Sequence, residues 1–257
     1  MKKMQIFIFI VALICFLGSG GYLAKYYWER HISAKNMDEV KSLLVEETKS
    51  AETGDDTNPE ILLRYSRLHE ENPDFAGWIQ IPGTSIDYPV MYIAGDNDTY
   101  LHSNFNKEWD ASGVPFIDGN CSLDPISDNL IIYGHHMNDG SMFQQLMNYK
   151  DKDFYEYHKT IYFDTLNETG TYTVVAVILA RALGEYEQGF RYYGQYTFGD
   201  EDDLNEYMSN IYQLALYDTG ETVSFGDKLI TLSTCEYSQE DGRLAVIAKK
   251  TSLSLPK

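Results

Sequence analysis

Apolar and polar positions follow three successive regimes along this chain. Residues 4–24, MQIFIFIVALICFLGSGGYLA, carry no charge. As a helix rising about 1.5 Å per residue they span about 30 Å, the thickness of a bilayer core. The run reads as an uncleaved membrane anchor, with residues 1–3 on the cytoplasmic side. Lys2-Lys3 and the small cluster Gly18-Ser19-Gly20-Gly21 also occur in cleaved leaders. However, no A-x-A site follows, and the apolar run continues through Tyr22 and Leu23.

The second regime, residues 25–71, is helical in period and reads as a stalk with supporting helices. Met37, Val40, Leu43, Leu44 and Val45 are interleaved with Glu and Lys over 37–51, which suits an amphipathic helix. The polar stretch from Glu52 to Asn58 ends it. A second helix is expected from Pro59 to about Glu71, with Ile61, Leu62, Tyr65 and Leu68 as its buried stripe.

Beyond Asn72 the period shortens to that of strands, and residues 72–257 read as one domain. Strands are expected at 77–81, 86–93, 129–133, 160–163, 171–182, 228–234 and 244–249. Helical patches fall at 141–149, 152–158 and 201–216, the last capped by Asp200. Strands at irregular spacing, few helices and no βαβ alternation predict a mostly β domain with a closed, mainly antiparallel sheet and peripheral helices.

Charge narrows the function. The chain holds 20 Lys+Arg against 39 Asp+Glu, a formal net charge of −19. Lys2, Lys3, Lys25 and Arg30 against Glu29 give residues 1–30 a charge of +3, which leaves −22 on the rest. Such a surface does not engage nucleic-acid phosphates. A hydrophobic fraction of 44% with 23% charged residues is that of a folded chain, not a disordered one. Three cysteines, Cys15, Cys121 and Cys235, make no disulfide framework, although Cys121 could pair with Cys235 in an oxidising exterior. The spacing around Cys121, His135, His136 and Cys235 lacks any metal-binding motif, and no glycine-rich phosphate loop is present, so neither metal nor cofactor is expected. Asp55-Asp56 and Asp200-Glu201-Asp202-Asp203 read as solvated and helix-capping charge.

Candidate chemistry gathers at strand ends. Cys235 closes the apolar run Leu229-Ile230-Thr231-Leu232-Ser233-Thr234 and opens into a polar loop, where a thiol is accessible. His135 follows Ile131-Ile132-Tyr133-Gly134, again past a strand end, where Gly134 would permit a sharp turn. Arg243 lies eight residues after Cys235, so a hairpin returns its guanidinium to the sulfur. Thiol, imidazole and guanidinium at one rim are the equipment of acyl transfer: a nucleophile, a proton donor for the leaving group and a cation for the oxyanion. Consecutive residues on an extended segment face opposite ways, so only one of His135 and His136 is expected to address the thiol.

These segments resemble the sortases, and class B among them. The resemblance rests on Thr231-Leu232-Ser233-Thr234-Cys235 with Arg243, and on Tyr133-Gly134-His135-His136-Met137. It extends through Asn72-Pro73-Asp74-Phe75-Ala76-Gly77-Trp78-Ile79-Gln80-Ile81-Pro82-Gly83-Thr84, Asp87-Tyr88-Pro89-Val90, Tyr100-Leu101-His102-Ser103-Asn104-Phe105 and Asp139-Gly140-Ser141-Met142-Phe143. It implies a sortase-type barrel of about eight strands with an N-terminal helical extension. The catalytic domain would stand on the outer face of a Gram-positive cell membrane behind a single-pass anchor. Catalytic roles are implied for Cys235, His135, the histidine directly after the glycine, and Arg243. The implied reaction is that of a cysteine transpeptidase, a thiol-dependent hydrolase/acyltransferase. It cleaves a C-terminal sorting motif after Thr through a thioacyl-enzyme and passes the surface protein to an amine of the cell-wall precursor, lipid II or a peptidoglycan cross-bridge. The substrate-lining positions implied are Asn97, Leu101, Tyr133, Ser233, Thr234 and Glu236. No second apolar span precedes Lys257, unlike the pilus-polymerising class C. Tyr237 stands where some class B members have Asp, so no catalytic carboxylate is assigned. A surface cysteine peptidase with water as acceptor, and a membrane-tethered binding module without chemistry, are the competing readings.

Overall fold

The computed structural model describes residues 2–51, 59–184 and 186–251, and side chains over 3–44, 64–184 and 186–251. The polar stretch 52–58 and the side chains of Val45, Ile61 and Leu62 lie outside these. Helix α1 (Lys2–Ala51) is continuous, where the pattern suggested an anchor followed by a separate stalk helix. Nothing between residues 25 and 36 breaks it: there is no Pro or Gly there, and Lys25–Glu29 and Lys35–Glu39 pair one turn apart at 3.6 and 3.3 Å. Helix α2 (Pro59–Glu71) packs against its C-terminal half. Val40 and Leu44 of α1 join Tyr65 and Leu68 of α2 in a cluster with Phe75, Trp78, Met91 and Phe105, which fastens both helices to the body.

Among the described residues the body is a closed barrel of eight strands: β1 (Phe75–Gln80), β2 (Asp87–Met91), β3 (Phe116–Ile117), β4 (Asn129–Tyr133), β5 (Thr160–Thr165), β6 (Thr171–Arg181), β7 (Leu229–Cys235) and β8 (Gly242–Thr251). Their order around the barrel is β1-β2-β3-β4-β7-β8-β6-β5. The pairings are antiparallel except β2–β3 and β4–β7. Sequence patterning missed β3, which at two residues has no period to detect.

Both faces of β8 are buried, which explains its unbroken apolar run. Leu244, Val246 and Ala248 enter the barrel core, while Ala245 and Ile247 meet helix α4 (Glu201–Leu214) through Leu204, Tyr207, Met208 and Ile211. Asp200 caps α4 by accepting from Asp203 N at 3.0 Å, as expected. Helix α3 (Lys152–Tyr157) also forms. The patch expected to be helical over 141–149 is instead a 3-10 segment, Gln144–Lys150, preceded by Met142 at φ 54°. That left-handed residue cannot sit in a helix, and its bridge to His136 ties it to the loop after β4.

Candidate active site

The parallel pairing of β4 with β7 decides where the chemistry gathers. Five residue pairs, from Asn129↔Leu229 to Tyr133↔Ser233, align the C-terminal ends of both strands at one rim of the barrel. His135 leaves β4 there, and Cys235 ends β7 there. Antiparallel β8 begins at the same rim, with Arg243 directly opposite Cys235. Side chains directly opposite in such a pair have Cβ atoms about 4.5–5.5 Å apart. A cavity of about 290 Å³ opens over this rim, lined by Cys235, His135 and Arg243 together.

Asn97, Leu101, Tyr133, Ser233 and Thr234 line the same cavity. Asn97 and Tyr133 are held from behind by buried Asp118, whose carboxylate accepts from Asn97 Nδ2 at 3.2 Å and Tyr133 Oη at 2.9 Å. Burial first, and then Asp118, push the Tyr133 phenol well above its ordinary value, so it stays protonated and donating. Thr234 Oγ1 is buried without a hydrogen-bond partner. Five further lining residues, Tyr192, Tyr193, Val114, Phe116 and Ala182, had not been singled out from sequence. Tyr192 is buried, with its hydroxyl 2.7 Å from Ser233 Oγ. Along the chain it stands among several aromatics, Phe190, Tyr193, Tyr196 and Phe198, with nothing local to single it out.

Glu236 departs from the expected groove. Its side chain is buried and paired with Lys150 at 2.5 Å, and it accepts from Ser238 N at 3.0 Å and Ser238 Oγ at 2.5 Å. The backbone Glu236 N donates to Gly242 O at 2.8 Å, so this residue folds the loop that returns Arg243 to Cys235. Lys150 and the Ser238 bonds hold the carboxyl down at about 2. A carboxyl whose folded value is depressed lends stability above its ordinary 4.5 and loses it as pH falls toward about 2. Glu236→Gln should therefore lower the unfolding free energy by about 1–3 kcal/mol at neutral pH. Urea titrations across the acid range should find that difference shrinking below pH 4.5.

The two histidines have distinct partners. A carbonyl can only accept, so the His135 Nε2–H donates to Leu101 O at 2.7 Å and the His136 Nδ1–H donates to Cys235 O at 2.9 Å. His135 also stacks on His102, with ring centroids 5.6 Å apart. Burial, more than the neighbouring His102 and Arg30 charges, holds its pKa below the ordinary value of 6.5. His136 grips the backbone of Cys235 and leans on Tyr237, with ring centroids 5.0 Å apart. Gly134 is not in the left-handed region, so its role differs from the expected turn: an added Cβ would meet the Phe143 ring at 2.6 Å. Only a glycine lets Phe143 close under the loop that carries His135.

Cys121 does not pair with Cys235. Its thiol is free and buried, donates to Asn129 O at 3.7 Å, and is pushed up to about 12 by burial. A thiol at a parallel strand end, faced by a guanidinium and sharing a cavity with an imidazole, is an arrangement suited to thiol-dependent acyl transfer. A model of the sortase domain matches residues 79–251. Sortase B of Listeria monocytogenes is 35% identical over 242 residues, covering 93% of this chain and 94% of that one. Among solved structures, sortase B from Bacillus anthracis in complex with AAEK1 superposes with a TM-score of 0.73 at 30% identity, covering 88% of this chain and 99% of that one. A Staphylococcus aureus sortase B–substrate complex superposes with a TM-score of 0.74 at 27% identity, covering 88% and 100%. The chain belongs to the sortase family of cysteine transpeptidases, and within it to class B.

Proposed function

We propose that this sortase stands on the outer membrane surface behind α1, cleaves a C-terminal sorting motif after its Thr, and joins the new carboxyl end to an amine of the cell-wall precursor. The helix over Lys3–Leu44 contains an 18-residue window of mean hydropathy 2.4, none of it buried, which supports an anchor. The observation that carries the chemistry is the Cys235↔Arg243 register at the rim His135 also reaches. In the proposed course the Cys235 thiolate attacks the scissile carbonyl carbon, a C–S bond forms, and the oxyanion rests on Arg243. Collapse breaks the C–N bond while His135 passes its proton to the departing amine. The incoming amine then repeats the addition on the thioester, gives a proton back to His135 and releases the sulfur. Asn97, Leu101, Tyr133, Ser233 and Thr234 would line the sorting motif's groove, and the apolar walls of the cavity suit its apolar positions.

Incubation of the full chain with a sorting-motif peptide library, with and without an oligoglycine or diaminopimelate-type amine, tests this. The expected products are amine adducts at the Thr carboxyl, with hydrolysis slow when the amine is withheld. Equal hydrolysis in both arms would instead favour a peptidase that uses water as acceptor.

A further inference from the structure

Where α1 leaves the span 4–24, it runs against the two loops that hold His135. Arg30 Nη1 donates to Ser112 Oγ at 2.5 Å and to Asp139 Oδ2 at 3.4 Å. Three residues on, Ser33 Oγ donates to Asp110 Oδ2 of the same loop as Ser112. The Arg30 side chain is 14% exposed, and its Nε is buried with no partner. Burying a guanidinium with one N–H unpaired costs free energy that a purely structural contact would avoid.

Each end of the Arg30 bridge leads to the imidazole in a few bonds. Ser112 adjoins Gly113, at φ 55°, where an added Cβ would meet the carbonyl oxygens of Tyr100 and Leu101 at 2.5 and 2.6 Å. Leu101 O is the acceptor for His135 Nε2. On the other side, Asp139 closes the turn after His135 by accepting from Ser141 N and Oγ at 3.0 and 2.6 Å, and Phe143 N donates to His135 O at 2.9 Å. We infer that Arg30 of the membrane-proximal helix is a positioning residue for His135, clamping the loop that holds its ring to the loop that carries its backbone. This rests on the transpeptidase reading for its kinetic consequence, but not for its geometry.

The clamp sits close to the bilayer. Arg30 lies six residues past Ala24, about 9 Å along a helix. The anchor thus sets the distance of the imidazole from the lipid surface, where a lipid-linked acceptor would arrive. The charge of Arg30 acts on the ring as well. The titratable and charged groups around His135 are His102 from the loop before β3, Arg30 from α1, Asp139 of its own loop, and Tyr133, Cys235 and Arg243 across the cavity. Arg30 opposes protonation of the ring, and Asp139 is neutralised by Arg30. Losing the guanidinium removes a repulsion and frees a carboxylate, and both changes favour the imidazolium.

The test uses the full chain in nanodiscs with Arg30→Met, Arg30→Lys and Ser112→Ala. Arg30→Met should lower kcat roughly tenfold with KM changed by less than about twofold. It should also raise the His135 midpoint followed by NMR of the ring carbons, which Arg30→Lys should restore. An unmoved midpoint, or a loss confined to KM and thermal stability, would make Arg30 a packing residue only and overturn the inference. If Arg30→Met does not fold, Ser112→Ala decides, because it keeps every charge and cuts one end of the clamp: unchanged kcat there overturns the inference. A wild-type chain without transpeptidation would sink the proposed function alone, since the NMR midpoint still reports on Arg30.

Discussion

Cys235→Ala should abolish transpeptidation, with kcat falling by at least about 10⁴-fold, because Cys235 carries the only thiol lining the cavity among the described residues. Arg243 has no nucleophilic atom, the Tyr133 phenol is held protonated against Asp118, and buried Cys121 lies away from the cavity with its thiol pushed up to about 12. The variant should keep the barrel. Cys235 sits at the last position of β7, partly buried, and contributes its backbone to the pairing with Arg243 and its carbonyl to His136. Alanine preserves both, so the unfolding free energy should move by less than about 1 kcal/mol. Mass spectrometry should find a peptide adduct on the wild-type sulfur and none on the variant. Peptide capture of equal strength in wild type and Cys235→Ala, with turnover in neither, would mean a binding module without chemistry.

Two physical features separate what could be read along the chain from what could not. Strands with clean alternation or long β-branched runs emerged near their observed bounds, with 129–133 coinciding with Asn129–Tyr133, because period and burial act locally. The convergence at Cys235 was half legible: a hairpin to Arg243 follows from short spacing, but the parallel β4–β7 pairing spans about a hundred residues and has no local signature. Continuity of α1 was hidden by the change from an all-apolar to an amphipathic face, which is a change of environment and not of backbone. Glu236, which the family resemblance put in the groove, lies off the cavity lining, and the Lys150 that takes up its carboxylate is 86 residues away with no local signal. Gly134 was read as a turn when its neighbour across space, Phe143, sets the requirement. The second histidine was expected to face away from the thiol, yet nothing along the chain indicates that it holds the Cys235 carbonyl.

That contact sharpens the contrast between His135→Ala and His136→Ala, the second large effect. Loss of His135 removes the only imidazole lining the cavity among the described residues, and with it the proton for the departing amine, so kcat should fall about 10²–10⁴-fold. Loss of His136 removes one hydrogen bond to a carbonyl. Stability should drop by about 0.5–1.5 kcal/mol, and kcat by about tenfold at most, through a looser Cys235 backbone. The pH dependence separates the roles further. Burial disfavours the His135 imidazolium, so its protonated form fades as pH rises through a midpoint below 6.5. Only a minority of molecules then pairs thiolate with imidazolium at neutral pH, and the rate profile should be a low bell whose two limbs report the pair. His135→Ala should flatten that bell and slow alkylation of Cys235 by iodoacetamide at neutral pH, because the thiolate loses its cation. His136→Ala should keep the bell at reduced height. Activity kept in His135→Ala and lost in His136→Ala would reverse the assignment, and an alkylation rate unchanged by His135→Ala would remove the ion pair from the mechanism while leaving the nucleophile in place.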